Sequence, residues 1–577
     1  MQREIRLRHA QVEDKLPDEL SPLLRRIYLN RGVGEAWQLE LSLKQLLPYH
    51  ELKGIQAATS LLYEALQKQQ HILIVGDFDA DGATSTALAI RALKRFGAKH
   101  VSYIVPDRFR YGYGLTPEIV DVALQQSPDL IITVDNGISS TKGVARAKQA
   151  GVSVLITDHH LPGAELPSAD AIVNPNQAGC EFPSKKLAGV GVIFYVMAGL
   201  RAYLRERGAN HDENFSLAEL LDLVALGTVA DVVPLDHNNR ILVQQGLLRI
   251  RSSHCCPGIT ALLQLAGREQ TSITSLDLGF AVGPRLNAAG RMQDMSIGIE
   301  CLLSDDPQQA HRFARELDAI NRERRERQAG MQQQAVQSVS EQLEKVEELP
   351  YGLCVFDQDW HEGIVGLVAS HLKEKYHRPC IAFAPAGEAG QLKGSARSIP
   401  GFHIRDCLDQ IATENRGLIS KFGGHAMAAG LSLQRDDLRT FQQAFNDTVR
   451  QVVDASRLER IELSDGELNA DEISVKTAID LAEAGPWGQN FPEPLFHGRF
   501  TVLEQRILKE KHLKLKLAVN NADEQSSANR SVDAIAFFVI DEEWQGCGSE
   551  IQISYRLSIN SFRDQQHVQL IIEHIYS

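Results

Sequence analysis

The stretch Gly76-Asp77-Phe78-Asp79-Ala80-Asp81-Gly82 follows the apolar run Ile72-Leu73-Ile74-Val75 and precedes an alanine-rich segment over residues 84–96. A short strand that is apolar on both faces, then a polar turn, then a helix, is one β-α unit of a parallel sheet. The pattern recurs along the chain. Residues 101–105 lead to a helix opening near Thr116-Pro117-Glu118, residues 130–134 to a helix from about Thr141, and residues 152–156 close the series. In an open parallel sheet the carboxyl ends of the strands meet at one crevice, so distant segments converge there. Three of the four turns carry acid or histidine: 76–82, Thr133-Val134-Asp135-Asn136-Gly137 and Thr157-Asp158-His159-His160.

One aspartate before a helix is ordinarily an N-cap, but Asp77, Asp79 and Asp81 place three carboxylates within five residues. Carboxylates crowded together repel and take up protons unless divalent cations sit among them. Oxygen ligands in this number suit Mg²⁺ or Mn²⁺, and the absence of thiolates argues against structural zinc. His159 favours Mn²⁺ at one position. Asp135 is placed to bridge two ions, its alternative being a turn former beside Asn136-Gly137. His160 faces the crevice as an acid or phosphate contact. Asp231, at the end of the helical run Leu223-Val224-Ala225-Leu226-Gly227-Thr228-Val229-Ala230, reads by itself as a cap. Two bridged ions would activate water at neutral pH, and phosphoester hydrolysis is the reaction class these residues favour.

Candidate substrate contacts lie elsewhere. Arg285, Asn287 and Arg291 stand among small residues, where arginine suits bidentate phosphate contact or is an incidental loop residue. Ser395 and Arg397 in Gly394-Ser395-Ala396-Arg397-Ser398, and Gly424 and His425 in Phe422-Gly423-Gly424-His425, read as phosphate-cradling loops that open helices. Arg108, Arg110 and Tyr113 mix cations with a ring beside the crevice. Residues 499–516 hold six Lys or Arg (Arg499, Arg506, Lys509, Lys511, Lys514, Lys516) against Glu504 and Glu510, consistent with a basic face for single strands or with a solvated strand.

At 577 residues the chain is too long for one core. The reading divides it into an amphipathic helical lead-in (1–50), a parallel-sheet α/β domain (51–235), a helical segment ending in a long charge-dense connector helix over 307–347 (236–347), a second α/β domain (348–455), and a C-terminal OB-like β-barrel of about five strands (456–577). The net charge of −14 does not exclude a local basic groove. No stretch has the apolar length of a membrane span. The eight scattered cysteines and the charged first residues lead to the expectation of a cytoplasmic protein.

Taken together, these motifs resemble the DHH phosphoesterase superfamily, named for the triplet Asp158-His159-His160. Gly283-Pro284-Arg285-Leu286-Asn287-Ala288-Ala289-Gly290-Arg291 and Trp487-Gly488-Gln489-Asn490-Phe491-Pro492-Glu493-Pro494 bring the chain close to its single-strand-specific 5′→3′ DNA exonucleases, and residues 423–430 fit the associated DHHA1 domain. The resemblance implies a two-ion Mn²⁺ or Mg²⁺ site with Asp79, Asp81, Asp135, His159 and Asp231 as ligands and His160 as crevice acid. It implies Arg285 and His425 as substrate contacts. Other members have a histidine four residues before the aspartate matching Asp79. Val75 stands there in this chain, which implies that the first ion is held differently or more weakly, with Asp77 as a further candidate ligand.

The expected substrate is single-stranded DNA, degraded to mononucleotides in recombination and repair. Without a GxxxxGK[ST] loop, unwinding is assigned to a partner helicase, with a single-stranded-DNA-binding protein as a second partner and the chain itself a monomer. Two rivals are a phosphodiesterase of short oligonucleotides or cyclic dinucleotides, whose known forms lack the barrel, and a catalytically silent single-strand-binding scaffold, in which loss of the metal ligands would be expected.

Overall fold

A computed structural model describes residues 3–576 apart from 11, 108–110, 112, 210–211, 213, 344–348, 387–389, 455–457, 520–529, 540–545 and 563–564. The first sheet has five parallel strands in the spatial order Val101–Ile104, Ile72–Gly76, Leu130–Val134, Ser153–Thr157, Ala171–Val173. Its middle strands are buried on both faces. Ile72, Ile74, Leu130 and Ile132 belong to one apolar layer, and Leu73, Val75, Ile131 and Val154 to another. The fifth strand went unread because it is only Ala171-Ile172-Val173. The order reverses between Ile72–Gly76 and Leu130–Val134, and such a switch point opens a crevice at the carboxyl ends of the strands. The register aligns that edge. Gly76 pairs with Val134, Val134 with Thr157, and Thr157 with Val173. The next residues, Asp77, Asp135, Asp158 and Asn174, therefore stand in one row.

The N-terminal lead-in departs from the sequence expectation. It holds one helix, Pro22–Leu29, three short 3-10 turns and the strand Arg3–Leu7. Pro17, Pro48, Gly32 and Gly34 punctuate it too often for a continuous helix. Helices Gly189–Glu206, Leu221–Ala230, His237–Arg251 and Pro257–Leu265 follow the sheet, and the long connector runs Pro307–Leu343.

The chain forms two compact units, one built on Leu7–Asn321 with Ser464–Ile575, the other on Arg322–Leu463. In the smaller unit the sheet order is Lys421–Gly424, Ala428–Gln434, Gln391–Arg397, Cys380–Pro385, Leu353–Phe356. This corrects the reading of its two glycine-rich motifs as loops opening helices. Both lie on paired antiparallel strands, with Gly430 opposite Ser395 and Gly423 opposite Gly430. The decisive signal was period-two burial of Leu392, Ala396, Leu431 and Leu433. Gly394 is needed for packing, since a Cβ there would come within 2.4 Å of the Phe383 ring.

The larger unit also contains a closed five-stranded barrel, ordered Phe496–Leu508, His512–Val519, Arg530–Ala536, Gln565–Tyr576, Glu550–Phe562. Leu513, Leu515 and Leu517 fill its interior, while Lys514 and Lys516 point outward, Lys514 pairing with Asp533 at 2.8 Å. The segment that leads into the barrel is tied to the N-terminal lead-in by a buried ion pair. Arg31 donates from Nη1 and Nη2 to the two Asp465 oxygens at 2.9 Å each, and both side chains are essentially solvent-free. Removing one partner leaves an uncompensated buried charge. Asp465→Ala is therefore expected to lower unfolding free energy by about 3–5 kcal/mol, measured by urea denaturation; a change within experimental error would refute the role assigned to this pair.

Candidate metal centre and active site

The turn after Ile72–Gly76 is built by its own carboxylates. Asp79 is the N-cap of helix Ala80–Arg95, its Oδ1 accepting the Asp81 and Gly82 N–H groups at 3.0 Å each. Asp81 is held from the other side: Oδ2 accepts the Gly189 N–H at 2.6 Å and Oδ1 the Val190 N–H at 2.9 Å, so the start of helix Gly189–Glu206 fixes this carboxylate. Asp135 lies in the left-handed region at φ 63°, with its N–H bonded to the Thr157 carbonyl at 3.0 Å. The adjacent Asn136 amide donates to the Val75 and Val134 carbonyls (3.0 and 2.9 Å), clasping the two strands at the switch point.

Asp158 points back into its own loop. Its Oδ1 accepts the His159 and His160 N–H groups at 2.7 and 3.0 Å and lies 2.8 Å from His160 Nδ1, while Oδ2 accepts the Ile138 N–H at 2.9 Å. Asn174 and Asn176 donate to the His160 and His159 carbonyls at 2.9 and 2.6 Å, pinning the triplet backbone. His159 Nε2 is thereby delivered to 3.1 Å from Asp135 Oδ1 and 3.5 Å from Asp231 Oδ2. Asp231 is the C-terminal cap residue of helix Leu221–Ala230.

Three overlapping groups result, each with ligand atoms within 4.8 Å of one another: Asp77, Asp79 and Asp135; Asp81, His159 and Asp231; and Asp135, His159 and His160. Val75 is buried in an apolar layer of the sheet, and Asp77 offers a carboxylate two residues on. Close packing enforces the cluster. A Cβ on Gly189 would lie 2.5 Å from Asp135 Cβ, and one on Gly290 would lie 1.7 Å from the Phe78 carbonyl oxygen.

The electrostatics test whether metal fits. Burial, then the neighbouring Asp79 charge, pushes Asp81 up to about 7. Burial and the surrounding aspartates raise Asp135 and Asp231 well above the carboxylate range. Asp135 Oδ1 is buried and accepts no hydrogen bond. A dry cluster of carboxylates with an unsatisfied oxygen facing an imidazole nitrogen matches the donor set of hard and borderline divalent cations. Asp158 differs. Burial alone would raise it, but the His160 hydrogen bond and the charges of both histidines hold it below the usual range. For His160, burial is outweighed by Asp158, then Asp77 and Asp79, raising it to about 9.

Among the expected substrate residues, Tyr113 reaches the site: its hydroxyl donates to the Asp135 carbonyl at 3.1 Å and lies 3.1 Å from His160 Nδ1 and 3.3 Å from Nε2. Arg108 and Arg110 lie outside the described residues. Arg285, expected in a phosphate-binding loop, is instead buried in helix Gly283–Met292. It donates from Nε to Asp318 Oδ1 at 2.9 Å, with Nη2 in an ion pair 2.9 Å from the same oxygen, and from Nη1 to the Ala281 carbonyl at 2.6 Å. Asn287 accepts the Ala80 N–H at 2.8 Å and so positions the aspartate turn. Arg291 ends the same helix. In the smaller unit Arg397 donates to Ser395 Oγ at 3.0 Å, Gly424 ends the strand Lys421–Gly424, and His425 follows it. Asn136, Asn174 and Asn176 were missed; only their position one to three residues past a strand marks them.

Comparison with known proteins agrees with this organisation. The DHH family N-terminal domain matches residues 71–228, the DHHA1 domain residues 333–451, and the RecJ OB domain residues 464–574. The single-stranded-DNA-specific exonuclease RecJ of Salmonella typhimurium is 52% identical over 580 residues, covering 100% of this chain and 99% of that protein. The crystal structure of RecJ with Mn²⁺ from Thermus thermophilus superposes with a TM-score of 0.80 at 27% identity, over 100% of this chain and 80% of that one. The Mg²⁺ complex of the same protein gives 0.74 at 26%, over 100% and 79%.

Raised carboxyls stabilise the metal-free fold only while protonated. That stabilisation is complete at acid pH and is lost as pH rises through about 7 for Asp81. Because a divalent ion displaces those protons, the Mn²⁺-induced rise in melting temperature should grow as pH increases across that window, by calorimetry against an EDTA control. A metal effect independent of pH would contradict the assignment.

Proposed function

Because the chain belongs to the RecJ family of single-stranded-DNA-specific exonucleases, we propose that it releases mononucleotides from the 5′ end of single-stranded DNA at the crevice above its parallel sheet. It is a metal-dependent exonuclease acting on single-stranded DNA, with Mn²⁺ or Mg²⁺ as cofactor. The observation that carries the site assignment is the convergence of Asp77, Asp79, Asp81, Asp135, His159 and Asp231 around the buried, unsatisfied Asp135 oxygen. These residues would hold two ions, with Asp135 between them. When bound, such ions act as Lewis acids that activate water and offset charge developing on the phosphate.

The protein groups do the rest. Asp158 bonds His160 at Nδ1 and raises the ring pKa to about 9, leaving Nε2 poised to donate to a phosphate oxygen or to the departing oxygen. His159, turned toward Asp135 and Asp231, is the neutral ligand of the pair. In the smaller unit, Ser395, Arg397, Gly424 and His425 are assigned to backbone phosphates, as are Arg108 and Arg110, which lie outside the described residues, and Arg291 on its helix. Arg285 and Asn287 serve the substrate by setting that helix against the turn.

Outward Lys514 and Lys516 and the exposed Phe537 and Phe538 on the barrel suit sequence-independent contact with phosphates and base faces. No GxxxxGK[ST] segment occurs, which supports a separate helicase and a single-stranded-DNA-binding protein as partners. No described helix is long and apolar enough to cross a membrane, and a monomer acting in the cytoplasm, in DNA recombination and repair, fits this reading.

The test is degradation of single-stranded DNA labelled at either end, with Mn²⁺. Mononucleotides should leave the 5′ end, EDTA should stop the reaction, and Asp135→Ala should lower kcat by about 1000-fold or more. His160→Gln should cost about 10²–10⁴-fold. Loss of the 3′ label first, or an active Asp135→Ala enzyme, would refute the proposal.

A further inference from the structure

Phe280 is 74% exposed, one of the most exposed large apolar side chains among the described residues. It lies at the centre of a single π-helical turn, Leu278–Val282, that leads directly into helix Gly283–Met292. Isolated π turns are rare and collect at functional sites, and this one is held on every side except that of Phe280. Cβ atoms built on Gly279 and Gly283 would come within 3.1 Å of Val229 and Ala230, so the turn rests on the end of the helix that presents Asp231. The Ala281 carbonyl accepts from buried Arg285 at 2.6 Å, and Leu278, Ala281 and Val282 are buried. The helix that follows contacts the aspartate turn through Asn287 and Gly290. A rigid mount adjoining the metal centre on both flanks thus projects one aromatic ring into solvent.

The helix on which the turn rests ends in a second irregularity. Val232, the residue after Asp231, has φ 60° and is 62% exposed. A β-branched residue in the left-handed region is strained, and here the strain leaves an apolar side chain exposed at the edge of the metal cluster. Neither residue fills the core or binds metal.

We infer that Phe280 is a substrate-binding residue that stacks on a base of the single strand beside the metal centre; this rests on the single-strand exonuclease reading above. Every base offers a π face, so such a contact is strong without being sequence-specific. A duplex keeps its bases stacked on one another and cannot supply a free face, so the contact also favours single strands.

The experiment compares wild type, Phe280→Ala and Phe280→Trp with Mn²⁺ on a single-stranded oligonucleotide and on bis(p-nitrophenyl) phosphate, which has no base. Phe280→Ala should raise the oligonucleotide KM by about 5- to 150-fold, the range expected for one lost base stack, while its kcat and KM for the small ester stay at wild-type values. Phe280→Trp should keep a wild-type KM. Abasic nucleotides near the 5′ end should raise KM for wild type but not for Phe280→Ala. An oligonucleotide KM within about twofold of wild type would overturn the inference, as would a parallel loss of ester hydrolysis, which would mark Phe280 as structural. Wild type that cleaves the ester yet leaves the single strand intact would refute the exonuclease reading itself, and the inference with it.

Discussion

Mutual repulsion among buried carboxylates is the constraint to which the larger unit is built. The sheet register sets Asp77, Asp135 and Asp158 in one row, and helix ends bring Asp81 and Asp231 to the same place. Without counter-charge, burial and mutual repulsion raise Asp81, Asp135 and Asp231 above the usual carboxylate range. The fold tolerates that cost because each acid is fixed by something rigid: Asp79 by capping its own helix, Asp81 by two N–H groups of another, Asp158 by its own loop. The cluster is destabilising by itself and becomes favourable when divalent ions enter, so stability and function are set by the same residues.

The row also assigns opposite tasks to chemically identical groups. Asp158 is ionised because it faces two imidazoles and backbone N–H groups. Asp135, one strand away, faces other carboxylates and resists ionisation. The adjacent histidines divide in the same way. His160 is kept charged by Asp158 and is suited to donate a proton, whereas His159 points into the acidic cluster and is suited to bind metal. Separation of the roles rests on a few pins (Asn136, Asn174 and Asn176) that hold strand ends and loop carbonyls.

Much of this was legible in the sequence. Doubly apolar runs such as Ile72-Leu73-Ile74-Val75 announced buried parallel strands, and the acids just beyond them followed from the geometry of such sheets. The barrel was readable from alternation, as in Leu513-Lys514-Leu515-Lys516-Leu517. What failed did so for physical reasons. Gly394 and Gly423–Gly424 read as loops because glycine marks turns more often than strands, yet there it admits Phe383 and a close hairpin. Arg285 read as a free phosphate ligand because nothing local reveals Asp318, thirty-three residues on. The three asparagine pins bond across strands or loops, so no spacing rule finds them. The three-residue strand Ala171–Val173 is too short to leave a pattern.

The account stands most directly on the claim that this row of residues holds two ions with Asp135 shared between them. Titration calorimetry with Mn²⁺ measures it without any turnover. Two ions per chain for wild type, falling to one or none in Asp135→Asn with the fold intact by circular dichroism, is the predicted result. A single ion in wild type, or two ions bound undiminished after Asp135→Asn, would contradict it.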